Sequence, residues 1–255
     1  MNELVPILTM GQYSLVFNML SFATATMLGA FAFFVMGQSL VGVKYRAALV
    51  VSAVVVLVAG YHYYRIMGSW EAAYNLIDGQ YVGSGKPFND AYRYVDWLLT
   101  VPLLLVELVL VMGLGKGKQG SMMLRLVIAA TLMIGLGYPG EVSSDNATRT
   151  VWGILSTIPF VYILYVLWVE LGATINQQAP KVQELVKGIR FLLLATWGFY
   201  PIVYGLVGSG FSGAEAEVVV QVGYSIADVT AKALYGVLIF AIAHAKSEAD
   251  GSLPA

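Results

Sequence analysis

The sequence predicts an all-α membrane protein, a seven-transmembrane-helix bundle with its N-terminus outside. Two observations predict the class, and a third orients it. The 255 residues are 58% hydrophobic and only 11% charged, with a mean hydropathy of +0.75, far from the composition of a soluble domain. Apolar segments fall at about 12–37, 46–67, 94–114, 121–138, 151–171, 191–208 and 217–243, each near the ~20 residues that a spanning helix needs. Lys44 and Arg46, then Lys116, Lys118 and Arg125, then Lys181, Lys187 and Arg190, and finally Lys246 all fall on one side of a seven-helix serpentine. That side is cytoplasmic, because cytoplasmic loops keep the excess of Lys and Arg. The opposite loops carry Asp78, Asp90, Glu141, Asp145, Glu215 and Glu217, an asymmetry hidden by the net charge of −1.

Each element follows in order. The first nine residues lack a basic n-region, an apolar h-region and a cleavage site, so the first helix is expected to act as its own insertion signal. The second segment ends in Tyr61, His62, Tyr63, Tyr64 and Arg65, residues suited to an interfacial belt. Between segments two and three, about Gly68 to Asp90, Asp78-Gly79 and Gly83-Ser84-Gly85 are turn signals between short Tyr/Val runs, which predicts a short external β-hairpin. One domain, 1–255, is expected. The absence of cysteine excludes disulfides and thiolate metal sites, and the two histidines stand far apart, so no metal is expected. The expected surrounding is a lipid bilayer, with no nucleic-acid partner.

The last segment holds the most informative residue. Lys232 sits inside the apolar stretch Gly223 to Ala243, with Asp228 one helical turn earlier. A charge at the bilayer centre costs at least roughly 2.5–3.5 kcal/mol, so such residues face the bundle interior and mark functional sites. The i,i+4 spacing stacks the pair on one face, where Asp228 can act as counterion to a cation carried at Lys232. The alternative is a buried ion pair that only fixes helix packing.

The third segment, AYRYVDWLLTVPLLLVEL, places Arg93, Asp96, Thr100 and Glu107 at spacings of three, four and seven, roughly one helix face. The eleven residues from Asp96 to Glu107 rise roughly 16 Å, with Asp96 toward the outside and Glu107 toward the cytoplasm. An anionic Asp96 near a cationic nitrogen can accept its proton. Glu107, in a dry apolar surround, is expected to stay protonated until it donates. Acceptor outside and donor inside give outward transport. Arg93, about one turn outside Asp96, would hold that carboxylate ionised at rest, or else snorkel to the interface. Thr100 taken alone is weaker, since a helical Thr usually bonds its own i−4 carbonyl.

With RYVDWLLTVPLLLVE in the third helix and DVTAK in the seventh, the chain resembles the microbial (type 1) rhodopsins along nearly its whole length. The resemblance implies all-trans-retinal bound to Lys232 as a Schiff base, with Asp96 as primary acceptor and counterion, Asp228 as second counterion and Glu107 as cytoplasmic donor. Asp96, Thr100 and Glu107 form the Asp-Thr-Glu pattern of proteorhodopsin-type proton pumps, not the patterns of the family's chloride or sodium pumps. The retinal pocket is implied at Trp97 and Trp197, which sandwich the polyene, and at Tyr200, Pro201 and Tyr204 on the sixth helix. Tyr94, Leu104, Met133, Gly137, Ser156, Thr157 and Phe160 take other pocket positions, and Leu104 is the residue type of green-absorbing members.

Two features resemble the xanthorhodopsin branch. His62 matches a histidine that bonds the counterion there, and is otherwise an interfacial belt residue. Gly153 stands where bacteriorhodopsin has a tryptophan, so it either opens a lateral window for an antenna, a hydroxylated carotenoid, or is a small residue for close helix approach. Val220 stands where bacteriorhodopsin has its seventh-helix release glutamate. The function implied is a light-driven outward proton pump, an ion transporter and not an enzyme. It would be a multi-pass protein of the bacterial inner membrane, moving protons and assembling as a homo-oligomer, trimer or pentamer. The alternative is a photosensory rhodopsin signalling to a membrane transducer, which has no need of Glu107 as an efficient donor.

Overall fold

The computed structural model describes residues 5–89, 91–143 and 145–254; Asp90, expected in an outer loop, lies outside them. Among the described residues, seven helices are long and apolar enough to cross a membrane. They are α1 (Met10–Gly37), α2 (Arg46–Ala73), α3 (Ala91–Met112), α4 (Lys116–Glu141), α5 (Asn146–Tyr165), α6 (Pro180–Gly208) and α7 (Ala214–Ala249). Helices adjacent in sequence pack side by side, and α7 closes the bundle against α1 and α2.

The burial pattern inverts that of a soluble protein. Phe22, Leu28, Ile154, Ile158 and Phe191 are exposed on the outward faces, while Arg93, Asp96, Thr100, Glu107, Asp228 and Lys232 are buried. Lipid tails solvate the former, and only the bundle interior can solvate the latter. Pro102, Pro139, Pro159 and Pro201 lie inside helices, as membrane helices tolerate where neighbours satisfy the freed carbonyls.

The helix ends are set by local chemistry. Thr9 caps α1 through a reciprocal box, accepting from the Gln12 amide at 3.2 Å while its own amide donates to Gln12 Oε1 at 2.9 Å. Asp145 caps α5, accepting from the Thr148 amide at 2.8 Å and hydroxyl at 2.7 Å. These bonds hold the Asp145 carboxyl below its ordinary range. Glu215 and Glu217, expected in a loop, instead occupy the first turn of α7, where the helix dipole favours acids. Arg125, expected among the loop cations, lies within α4 and pairs with Glu170 at 2.6 Å.

One expectation near the outer surface needs correction. The second helix does not end near residue 67 but runs to Ala73, so His62 and Tyr63 are buried inside it rather than forming an interfacial belt. Tyr61 and Tyr64 keep the exposed, belt-like position. The hairpin exists, as strands β2 (Tyr74–Ile77) and β3 (Gln80–Gly83), and Asp78 and Gly79 turn between them with φ of 49° and 78°, the positive values of a tight two-residue turn. A further strand, β1 (Leu8–Thr9), pairs antiparallel with β3 through Leu8 and Tyr81. Tyr13 stacks on Tyr81 at 3.6 Å and on Trp70 at 5.7 Å, which fastens this small sheet to the outer ends of α1 and α2.

Candidate functional site

Lys232 is held by an unusual piece of backbone. Thr230–Leu234 forms a π turn within α7, a local widening that is rare and frequent at functional sites. The Lys232 ammonium lies 2.9 Å from Asp96 Oδ2 and 3.0 Å from Asp228 Oδ1, and all three residues are buried. Helices α3 and α7 thus bring two carboxylates to one amine. Neither oxygen is aligned as a hydrogen-bond acceptor for Nζ, so the bonding capacity of the amine is not used up.

The two carboxylates differ in how they are held. Asp228 accepts from Tyr63 Oη at 2.9 Å, from Trp97 Nε1 at 3.2 Å and from the Tyr200 hydroxyl, three donors on three different helices. Asp96 has no hydrogen-bond partner on either carboxylate oxygen among the described residues. Thr100 donates to the Asp96 backbone carbonyl at 2.8 Å, not to its side chain, the ordinary behaviour of a helical threonine. The expected bond from His62 to Asp96 is likewise not formed. His62 Nδ1 stands 3.8 Å from Asp96 Oδ1, beyond bonding range, because that nitrogen bonds the Val58 carbonyl at 2.9 Å. Its position three turns inside α2 makes that i−4 carbonyl available.

Arg93 is buried rather than snorkelling, with its guanidinium 5.3 Å from the Tyr224 ring and 6.0 Å from the Tyr63 ring. Glu107 lies on the cytoplasmic side, fully buried and hydrogen-bonded to Ser52 on α2. Its other oxygen has no hydrogen-bond partner among the described residues. The four α3 residues expected on one face, Arg93, Asp96, Thr100 and Glu107, are all buried in the bundle.

A cavity of about 230 Å³ opens from Lys232 and Asp228. Every pocket residue expected from the sequence lines it. Helix α3 supplies Tyr94, Trp97 and Leu104, and α4 supplies Met133 and Gly137. Helix α5 supplies Gly153, Ser156, Thr157 and Phe160, while α6 supplies Trp197, Tyr200, Pro201 and Tyr204. Val101, Ile134, Tyr224 and Ala231 also line it and were not singled out from the sequence. Helical periodicity could have found two of them, since Val101 stands four residues after Trp97 and Tyr224 four before Asp228. Ser156 donates to the Met133 carbonyl at 2.7 Å, tying α5 to α4 beside the cavity. At Gly153 an added Cβ would stand 3.1 Å from Tyr204 Cε1, so the Tyr204 ring packs on that bare backbone. The walls are apolar and aromatic and the floor is an amine, a donor set that fits a long apolar aldehyde condensed with Lys232.

Comparison with known proteins agrees with this construction. A green-light absorbing proteorhodopsin of Gamma-proteobacterium EBAC31A08 is 30% identical over 224 residues, 86% of this chain and 83% of that relative. The crystal structure of a thermophilic rhodopsin superposes with a TM-score of 0.95 at 55% identity, covering 97% of this chain and 99% of the other. Xanthorhodopsin, described as a light-driven ion pump with dual chromophore, superposes with a TM-score of 0.94 at 59% identity over the same shares. Residues 15–246 match the family described as bacteriorhodopsin-like protein, and the chain is therefore a member of that family, a microbial type 1 rhodopsin.

Proposed function

We propose that this chain is a light-driven outward proton pump, one seven-helix retinal-binding domain over residues 1–255, working in a bacterial inner membrane as a homo-oligomer. It is an ion transporter rather than an enzyme. The observation that carries the reading is the contrast at Lys232: Asp228 accepts from three further donors, whereas Asp96 has the Lys232 ammonium at 2.9 Å and no other donor in bonding range among the described residues. Relatives named as a proteorhodopsin and as a light-driven ion pump support it.

Retinal held covalently at Lys232 as a Schiff base supplies a polyene that absorbs light and a cationic nitrogen whose acidity changes on illumination. The residues around it divide the remaining work. Asp228, fixed by Tyr63, Trp97 and Tyr200, keeps its charge and balances the cation. Asp96 accepts a proton at Oδ2, the oxygen facing Nζ. Arg93, one turn farther out, holds Asp96 ionised beforehand and favours onward release once it is neutral. Glu107 stores the replacement proton: when protonated it can donate to Ser52, whose hydroxyl reaches the Ala48 carbonyl at 3.2 Å, so the neutral acid is satisfied in a dry surround. Trp97, Trp197 and the other cavity residues hold the polyene and exclude water. His62, without a bond to Asp96, acts on it through space.

A carotenoid antenna beside Gly153 is a second reading of that position, supported by the dual chromophore of xanthorhodopsin and by the place of Gly153 in the cavity wall. A transducer-coupled photosensor would leave Glu107 without a use. The test is light-induced pH change in a suspension of cells expressing the retinal-loaded protein. Acidification that a protonophore abolishes supports the pump, and a colour change without acidification supports the sensor.

A further inference from the structure

The cytoplasmic end of the bundle holds a second buried lysine. Lys246, near the end of α7, is only 7% exposed. Its ammonium donates to the carbonyl of Met112, the last residue of α3, at 2.6 Å and to Gln178 Oε1, between α5 and α6, at 2.9 Å. It also lies 5.5 Å from the ring of Tyr45, at the start of α2. Gly113, with φ of 64°, ends α3 beneath it, and a Cβ there would stand 3.6 Å from Lys246 Nζ. The nearby acid is already engaged, since Asp250 accepts from Tyr45 Oη at 2.6 Å and Lys44 Nζ at 3.0 Å. Lys246 thus has no carboxylate at ion-pair distance among the described residues.

Glu107 lies five residues before Met112, roughly 7.5 Å of helical rise. Between them Leu108, Val109 and Val111 are fully buried. A methionine would fill the same volume but leave the Met112 carbonyl without its donor, whereas a neutral donor would satisfy that carbonyl without the cost of desolvating a charge. The charge has a use if something inward of it becomes negative.

We propose that Lys246 is a positioning residue of proton uptake: its ammonium clasps the cytoplasmic ends of α3 and α7 over Glu107 and supplies the positive charge against which Glu107 releases its proton. The proposal rests on the outward-pump reading. In it Glu107 passes its proton inward to the Lys232 nitrogen, becomes a carboxylate, and regains a proton from the cytoplasm. The Lys246 charge stabilises that carboxylate and repels incoming protons, and the clasp to Met112 delays access. Losing the charge therefore slows inward transfer and speeds refilling, whereas simple loosening of the helix ends would speed both.

The experiment uses the retinal-loaded full chain in membranes and compares Lys246→Met, Lys246→Gln and Lys246→Arg. Recovery of the resting absorption after a flash reads inward transfer, a pH dye reads refilling, and amide exchange around residues 110–113 in the dark reads the clasp. Lys246→Met should slow recovery severalfold, as the loss of a unit charge about two helical turns from Glu107 implies with surface-like screening, while shortening the lag of proton uptake and raising amide exchange. Lys246→Arg should restore parent behaviour. Lys246→Gln can still donate to the Met112 carbonyl, so it should recover slowly with exchange close to the parent; it carries the test should the Met variant fail to bind retinal. Recovery at the parent rate or faster in both neutral variants overturns the proposal. A parent that does not acidify the medium under light defeats the pump reading itself, and this is seen before any variant is made.

Discussion

The outer and cytoplasmic halves of the bundle treat charge in opposite ways. Outside the Lys232 nitrogen, Asp96, Asp228 and Arg93 crowd together with Tyr63, Trp97, Tyr200 and Tyr224. Inside it, Glu107 stands among fully buried aliphatic side chains with Ser52 as its hydrogen-bond partner. A cluster rich in donors and counter-charges stabilises ions, so a proton arriving there finds a carboxylate. On the proposed reading, the drier surround of Glu107, where Ser52 is its hydrogen-bond partner, is where a proton would be stored. On the proposed outward-pump reading, direction would follow from this difference in surroundings more than from the identity of the acids.

Substitutions at the boundary of the two halves should have the largest effect. Lys232→Ala removes the amine on which the cofactor depends, and the purified protein mixed with all-trans-retinal should remain colourless. A visible band surviving hydroxylamine in that variant would place the attachment elsewhere. Asp96→Asn removes the proposed acceptor, so pumping should vanish and the absorption should already be red-shifted at neutral pH, because the cation has lost a counter-charge. Acidifying the parent should give the same red shift as Asp96 takes up a proton. Normal pumping by the Asn variant would move the acceptor to another residue.

Changes in the dry half should be milder and should spare colour. Glu107→Gln keeps the neutral state, so the resting spectrum should hardly move while recovery after a flash slows about 100-fold, within the usual range for loss of a positioned proton donor. Ser52→Ala removes one hydrogen bond worth about 1 kcal/mol, which should change that recovery by about fivefold. An effect of Ser52→Ala as large as that of Glu107→Gln would mean that Ser52 carries the proton itself. The smallest effect is expected at the rim, where Asp145→Ala should lower the temperature at which colour is lost by a few degrees through loss of the α5 cap. The Asp145 carboxyl is held below its ordinary range, so this contribution is present above the unfolded value of about 3.9 and is lost as the pH falls through the lower folded value. A stability difference between parent and variant that grows on acidification would contradict the cap.

Much of this contrast was legible in the sequence, for a physical reason. A Lys or Asp inside an apolar segment is too costly to be incidental, so Lys232, Asp96, Glu107 and Asp228 stand out, and helical periodicity places them on inward faces. Aromatic positions such as Trp97, Trp197 and Tyr200 were legible through family resemblance, since a single tryptophan in a membrane helix has no distinguishing spacing. What stayed hidden depends on three-dimensional partners. Nothing in the run TAKAL distinguishes a π turn from an α turn. The partner of Glu107 is a serine in a valine- and alanine-rich helix, and serine there has no cost that would mark it. The resemblance pointed His62 at the counterion, but its bond to the Val58 carbonyl and the continuation of α2 to Ala73 depend on where the helix ends, which the aromatic run around it does not show. Pairing of Leu8 with Tyr81 joins segments far apart in the chain, which local pattern does not reveal.

The central claim is that light drives protons from the dry half to the charged half and out of the cell. It is tested most directly by illuminating cells that carry the retinal-loaded protein while recording the pH of a weakly buffered medium, with and without a protonophore, in the parent and in Asp96→Asn. Outward pumping predicts acidification in the parent that starts with the light, disappears with the protonophore and is absent in the variant. Alkalinisation of the medium, or acidification of equal size in Asp96→Asn, would contradict it.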